Sequence, residues 1–222
     1  MFRPESFAPD IPYASSGEGT RYANPLAKLD ALQIEVFARI FSGALDSEPR
    51  LVHMIPNPRT REAVLPWLAG SAIRAAGIYG ETFIAPSADG GAIWIRPGGG
   101  SGFQQMLRGE LRRLPFKLPK PLVKRWLGIH TYLDRIHQQL GVKPHWYLLI
   151  LGSALSASMN AMGAVIEPVL ARADFEDVEC YVETFLESTL AFYEEHGFRI
   201  QGSGRITRSG PNFWIMVRKS RP

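Results

Sequence analysis

The chain alternates between two hydrophobic periods. From Pro25 to Leu45, PLAKLDALQIEVFARIFSGAL repeats apolar residues at helical spacing and stops near Gly43, which predicts an amphipathic helix. A loop, DSEPRLVHMIPNP, follows, and REAVLPWLAGSAIRAAGIYG predicts a second helix ending near Gly77 or Gly80. The period then drops to two. GETFIAP and GGAIWIRP are β-branched and aromatic runs separated by Ser-Ala-Asp-Gly-Gly, a hairpin signature. After a glycine-rich loop at 97–102, FQQMLRGELRRL reads as a helix, PFKLPKP as a linker, and VKRWLGIHTYLDRIHQQLG as a helix closed by Gly141.

The last third alternates strand and helix. HWYLLILG is an almost wholly apolar strand, the pattern of a strand buried on both faces. NAMGAVIEPVLARADFE is a helix, ECYVETF a strand, LESTLAFYEEHGF a helix capped by Gly197, and RIQGSGRI with NFWIMVRK a terminal strand pair. This order predicts an α/β layered fold. Residues 1–24, rich in Pro, Ser and Gly, read as an extended arm, and 25–222 as a single domain.

Composition narrows the class. Of 222 residues, 45% are hydrophobic and 21% charged, which excludes global disorder. No apolar run approaches the roughly 20 residues of a bilayer span, and the N-terminus has no signal-peptide core, so a cytoplasmic protein is expected. The one cysteine, Cys180, cannot form an internal disulfide, and on a buried strand it reads as a small hydrophobe.

The net charge of +4 hides two opposed blocks. Residues 96–143 carry ten basic side chains against Glu110 and Asp134, whereas 167–195 carry nine acids against Arg172. The basic block is either a surface for an anionic partner or a solvated helical face. Nucleic acid is not expected as a partner, and neither is a membrane.

Several separated motifs then arrive in a familiar order. PHWYLLILG at 144–152, EPVLARAD at 167–174, CYVET at 180–184 and LAFYEEHGFRIQG at 190–202 resemble the GNAT superfamily, the Gcn5-related N-acetyltransferases. The hairpin strands and the first helix resemble the family's upstream elements, so the resemblance spans about residues 28–220. It implies a central, mixed, mostly antiparallel sheet with a V-shaped split between two parallel strands, here 145–152 and 179–184. Acetyl-CoA would lie in that split, with Leu151, Gly152 and Ser153 offering backbone groups. The next helix would direct its N-terminus at the pyrophosphate. The segment 97–143 would form a helical insertion or lid over the acceptor pocket.

The family's pyrophosphate loop, Q/R-x-x-G-x-G/A, is degenerate in this sequence. Ser158 stands in place of Gln or Arg, Ala161 replaces the first glycine, and only Gly163 remains. In one reading Ser156, Ser158 and Asn160 supply hydroxyl or amide contacts and a helix cap, and Ala161 still admits the pyrophosphate. In the other, Met159 and Met162 fill the cleft and acetyl-CoA use is lost. Thr189 occupies the region where relatives often carry an Asn.

The chemistry follows from acyl transfer to an amine, which needs a base, an oxyanion donor and an acid for the leaving thiolate. The resemblance gives Tyr193 as the acid and backbone N–H groups around Leu151 as the oxyanion donors. Glu183 and His145 are candidate bases, each with a purely structural alternative. His130 and His137, two helical turns apart, suggest a metal triad with His145. No carboxylate at matched spacing accompanies them, so no metal is expected. Trp94, Phe103, Trp126, Trp146 and Tyr147 either line an acceptor pocket or pack the core. The expectation is an acyl-CoA-dependent N-acyltransferase acting on a small amine, as a monomer or homodimer. The alternative is a GNAT-fold protein turned to other acid–base chemistry in the same cleft, or to ligand binding alone.

Overall fold

A computed structural model of the chain describes residues 29–85, 90–100, 109, 112–139, 144–153 and 159–221. The expected N-terminal arm, most of the helix expected at 103–114, Phe103 and Gly141 lie outside the described residues.

Helix α1 (Ala31–Leu45) starts at a capping box, in which Asp30 accepts from the Gln33 N–H and Gln33 answers to the Asp30 N–H. The segment read as a loop contains a short helix, α2 (Pro49–Met54), started by Glu48 accepting from the Leu51 N–H. Its proline sits in the first turn, where a missing N–H costs nothing. The same device begins α3 (Pro58–Tyr79) three residues earlier than its hydrophobic period indicates, with Asn57 as cap and Pro58 next. Strands β1 (Gly80–Ile84) and β2 (Gly90–Ile95) form the hairpin. A 3₁₀ turn at Leu114–Phe116 precedes α4 (Lys120–Gln139), which absorbs part of the Pro-punctuated linker. Then follow β3 (His145–Ser153), α5 (Met159–Phe175), β4 (Glu179–Thr184), a 3₁₀ turn at Glu187–Thr189, α6 (Leu190–Glu195), β5 (Arg199–Arg205) and β6 (Asn212–Arg218).

The six strands form one sheet in the order β1-β2-β3-β4-β6-β5. All neighbours are antiparallel except β3 and β4, which run parallel. This is the mixed, mostly antiparallel sheet that the sequence led us to expect.

Each face of the sheet has its own core. On one face, Trp94, Trp146, Leu148, Cys180 and Val182 pack against Val165, Ile166 and Val169 of α5 and Phe192 and Tyr193 of α6. On the other face, Ile84, Ile93 and Ile95 pack under α1 and α3. On that same side Tyr181, Ile215 and Val217 pack under α2 and α4. Strand β3 feeds both layers, which explains its continuous apolar run. Burial pushes the Cys180 thiol up to about 12, so it packs as a small apolar side chain.

Among the described residues no helix is long and apolar enough to cross a membrane.

Candidate functional site

The site begins where β3 and β4 part. Their parallel ladder runs from His145 opposite Glu179 to Leu148 opposite Val182 and no further. On its other side β3 continues to pair with β2 as far as Ser153, but the register slips there. Ile93 faces Ile150 while Trp94 faces Leu148, so Leu149 is an extra residue, a β-bulge. The bulge turns the strand. Leu148 points into the α5 core, whereas Leu149 and Ile150 both pack toward the α1–α3 face and Leu151 returns to the α5 side. From Leu149 onward the edge of β3 that faces β4 has no ladder partner. These are backbone groups available to an extended ligand.

Beside this split, on the α1–α4 face, lies a cavity of about 230 Å³. Its floor is Tyr147, Leu149 and Ile150 of β3 and Glu183 of β4. Its walls come from α2 and α3 on one side and from Trp126, His130, Asp134 and His137 of α4 on the other. Glu183 is the first residue of β4 beyond the last paired position, Val182. Strand alternation puts its side chain on the same face as Tyr181, whose hydroxyl donates to Glu183 Oε1 at 2.8 Å. Burial raises the proton affinity of the Glu183 carboxyl, partly opposed by that hydrogen bond and by the Arg50 guanidinium. Burial, together with Glu183, also pushes the Tyr147 and Tyr181 phenols up, so both stay protonated.

The histidines on α4 are uncharged in the folded chain. Burial pushes His130 down to about 3, aided by Arg50, and His137 down to about 4, aided by His145. His137 stacks on Tyr181 with ring centroids 4.2 Å apart, and its Nε2 lies 3.0 Å from Nε2 of His145. One of these nitrogens must donate to the other, which two neutral rings can do and two imidazolium ions cannot.

The candidate residues fall into distinct places. Glu183 lies in the cavity wall. His145 sits at the closed end of the parallel pair, opposite Glu179, with its Nε2 3.0 Å from Nε2 of His137, which lines the cavity. Tyr193 is buried on the opposite face of the sheet, in the cluster that contains Leu148 and Val182 at the apex of the split, and burial pushes its phenol up. Leu151 and Gly152 stand on the unpaired stretch of β3, with Ser153 at its end. A Cβ on Gly152 would come within 2.7 Å of Ala44, so this glycine lets α1 approach the strand. Asn160 and Ala161 stand in the first turn of α5, and Ser158 lies outside the described residues. Gly163 packs toward His196 of the α6 end, which a Cβ would approach to 3.3 Å. Thr189 donates to the Leu186 carbonyl at 2.7 Å and lies 2.8 Å from Thr184 Oγ1, so its proton is engaged within its own turn.

One reading needs correction. A carboxylate does stand at matched spacing beside the α4 histidines. Asp134 follows His130 by four residues and precedes His137 by three, and all three line the cavity. Among the described residues, however, no three such side chains converge in a metal-holding arrangement. The aromatic residues also divide. Trp126 and Tyr147 line the cavity, while Trp94 and Trp146 belong to the core on the far face.

Sequence reasoning missed Arg50 because its helix was read as a loop. Tyr181 lies in the CYVET run that carried the resemblance, but nothing in the sequence shows that its hydroxyl reaches Glu183.

No family model matches the chain, and no curated protein matches it. Solved structures do resemble it. A histone acetyltransferase HPA2 and related acetyltransferase from Corynebacterium glutamicum aligns with a TM-score of 0.62 at 19% identity, over 90% of this chain and 98% of that one. A protein assigned to the GNAT family of acetyltransferases, from Desulfovibrio desulfuricans, aligns with a TM-score of 0.50 at 12% identity, over 88% and 96%. The chain has the GNAT acetyltransferase fold.

Proposed function

We propose that the chain is an acyl-CoA-dependent N-acyltransferase that acetylates a small amine held in the cavity under α4. The observation that carries this reading is the position of the split. The bulge at Leu149 frees the β3 edge at the point where Glu183 enters the cavity from β4. An acyl thioester laid along that edge meets an amine in the cavity, and the GNAT fold supports acetyl-CoA as the thioester.

Each step has a resident group. Glu183 accepts the ammonium proton, since burial without a full counter-charge makes its carboxylate a stronger base than an exposed one. Backbone N–H groups around Leu151, on the stretch of β3 beyond its ladder with β4, are assigned to the thioester oxygen as it gains charge. Tyr193, buried at the apex of the split on the other face, is assigned as the hydrogen-bond donor to the leaving sulfur. The segment 97–143 supplies, through α4, the wall that shapes the acceptor pocket.

The substituted loop favours a second reading. With Ser158 and Ala161 at positions where the resemblance expects Gln or Arg and Gly, the pyrophosphate loses part of its cradle, and the cleft would serve a different ligand. Calorimetric titration with acetyl-CoA separates the two. Micromolar binding, with thiol release in the presence of an amine panel, supports acyl transfer. No binding at millimolar acetyl-CoA removes it.

A further inference from the structure

The cavity asks for more than an amine. Among the described residues, five buried side-chain nitrogen or oxygen atoms have no hydrogen-bond partner. Three of them, Arg50 Nε, Trp126 Nε1 and His130 Nε2, belong to residues lining this one cavity. A buried polar atom left unpaired costs about 1–3 kcal/mol. Three in one small space mark a place where a ligand completes the bonding. Arg and Trp nitrogens only donate, and a neutral His donates from one of its two nitrogens. For Arg50 and Trp126 the missing ligand group is therefore an acceptor.

Charge identifies the acceptor further. Arg50 brings a guanidinium to the cavity; Glu48 Oε2, 3.7 Å from its Nε, pairs with its charge but leaves that N–H without a hydrogen bond. Its plane rests 4.8 Å from the Phe185 ring centroid, which fixes its direction. A fixed guanidinium matches a carboxylate better than any neutral acceptor. Glu183 and Asp134 line the same cavity and suit an ammonium. The rest of the lining is largely apolar and includes Leu51, Leu65, Leu68, Leu149 and Ile150. A monoamine without a carboxylate leaves the unpaired Arg50 and Trp126 nitrogens unmet, and a polyamine sets a second cation against Arg50.

We propose that the acceptor is a free amino acid with an apolar side chain, its carboxylate taken by Arg50 and Trp126 and its amino group by Glu183 and Asp134. This rests on the acyl-transfer reading for the reaction but not for the binding.

The test uses the full chain with acetyl-CoA and a thiol-release assay on a matched set: leucine, leucinamide and 3-methylbutylamine. Leucine is expected to exceed both neutral-ended amines by tenfold or more in kcat/KM. R50Q and, separately, W126F are expected to shrink that ratio toward one, and R50K to leave an intermediate ratio. Equal turnover of the three amines by the unmodified protein overturns the inference, whether or not the variants fold. If no amine is acetylated, acyl transfer fails, and the inference is judged by calorimetry without acetyl-CoA. Binding of leucine tighter than 3-methylbutylamine by tenfold or more supports it. Equal binding, or none of either at millimolar concentration, overturns it.

Discussion

Replacing Glu183 with Gln isolates the proton-accepting step, because the amide keeps the shape and the oxygen that accepts the Tyr181 hydroxyl. What it loses is the ability to take a proton. A positioned general base contributes about 10²–10⁴ in rate, or about 2.7–5.4 kcal/mol at 1.36 kcal/mol per tenfold. The cavity sets the position within that range. Asp134 and His137 line the same space and can relay a proton through water, so the expected loss in kcat/KM is about a hundredfold. The substitution also has a signature in pH. Burial raises the folded-state pKa of Glu183, so the protein's kcat/KM rises as pH rises through that value, and E183Q lacks this limb. Stability should move in the opposite sense. A carboxyl whose pKa is higher folded than unfolded favours the fold while protonated and opposes it once ionised. E183Q should therefore match the unmodified protein in acid and melt higher than it above the raised pKa. Thiol release across pH, paired with thermal melts, reads both effects. An E183Q variant with more than a third of normal activity and an unchanged acid limb refutes the base assignment.

Two structural predictions are independent of the chemistry. Arg218 is held by Asp174 through paired bonds of 2.7 and 2.6 Å and by the His196 carbonyl at 3.1 Å. Asp174→Ala leaves that buried guanidinium without its counter-ion, at a cost near the low end of the usual 3–5 kcal/mol because Asp174 is partly in water. A melting temperature about 6–12 °C lower is expected. The loss should shrink as pH falls through the Asp174 pKa, which the Arg218 hydrogen bond holds below the usual carboxylate range; no change in melting temperature counts against the pairing. Gly80→Ala places a Cβ into the Trp94 carbonyl across the β1–β2 ladder. It should lower stability by about 1–3 kcal/mol in a denaturant titration, and an unchanged midpoint contradicts the register.

Most of the fold was legible because its period changes are abrupt. The apolar run of β3 announced a strand between two layers, and the strand–helix alternation after it gave the parallel pair. Elements started by a cap and a proline were misread. Asn57-Pro58 and Glu48-Pro49 carry the composition of loops but begin helices, since a proline in the first turn forfeits no hydrogen bond. The site was only half legible. Glu183 was visible from its place at the end of a central strand. The bulge at Leu149 was not, because it is a mismatch of register between two strands and leaves no mark on either alone. The acidic block shows the same limit. Its sequence names no partners, yet Asp174 binds Arg218, Glu176 accepts from Trp146 Nε1 at 3.2 Å, and Glu183 accepts from Tyr181. Those partners lie up to 44 residues away in sequence.

The position of Tyr193 limits what it does in the proposed reaction. An exposed phenol, near 10, is already a weaker acid than a thiol, near 8.5, so full proton transfer to a leaving thiolate is uphill by about 2 kcal/mol. Burial in the cluster with Phe192 and Phe198 pushes Tyr193 further up and steepens that climb. A hydrogen bond to the developing thiolate needs no transfer and gains from the same dry surroundings. Such bonds to charged groups contribute about 1.5–3 kcal/mol, so Tyr193→Phe should lower kcat roughly 10- to 150-fold while acetyl-CoA affinity stays within about threefold. Single-turnover acetylation of an amine acceptor, with affinity from calorimetry, measures both quantities. A loss of a thousandfold or more would mean that the phenol gives up its proton after all. An unchanged kcat would leave Tyr193 as packing beneath the split and hand the thiolate to water.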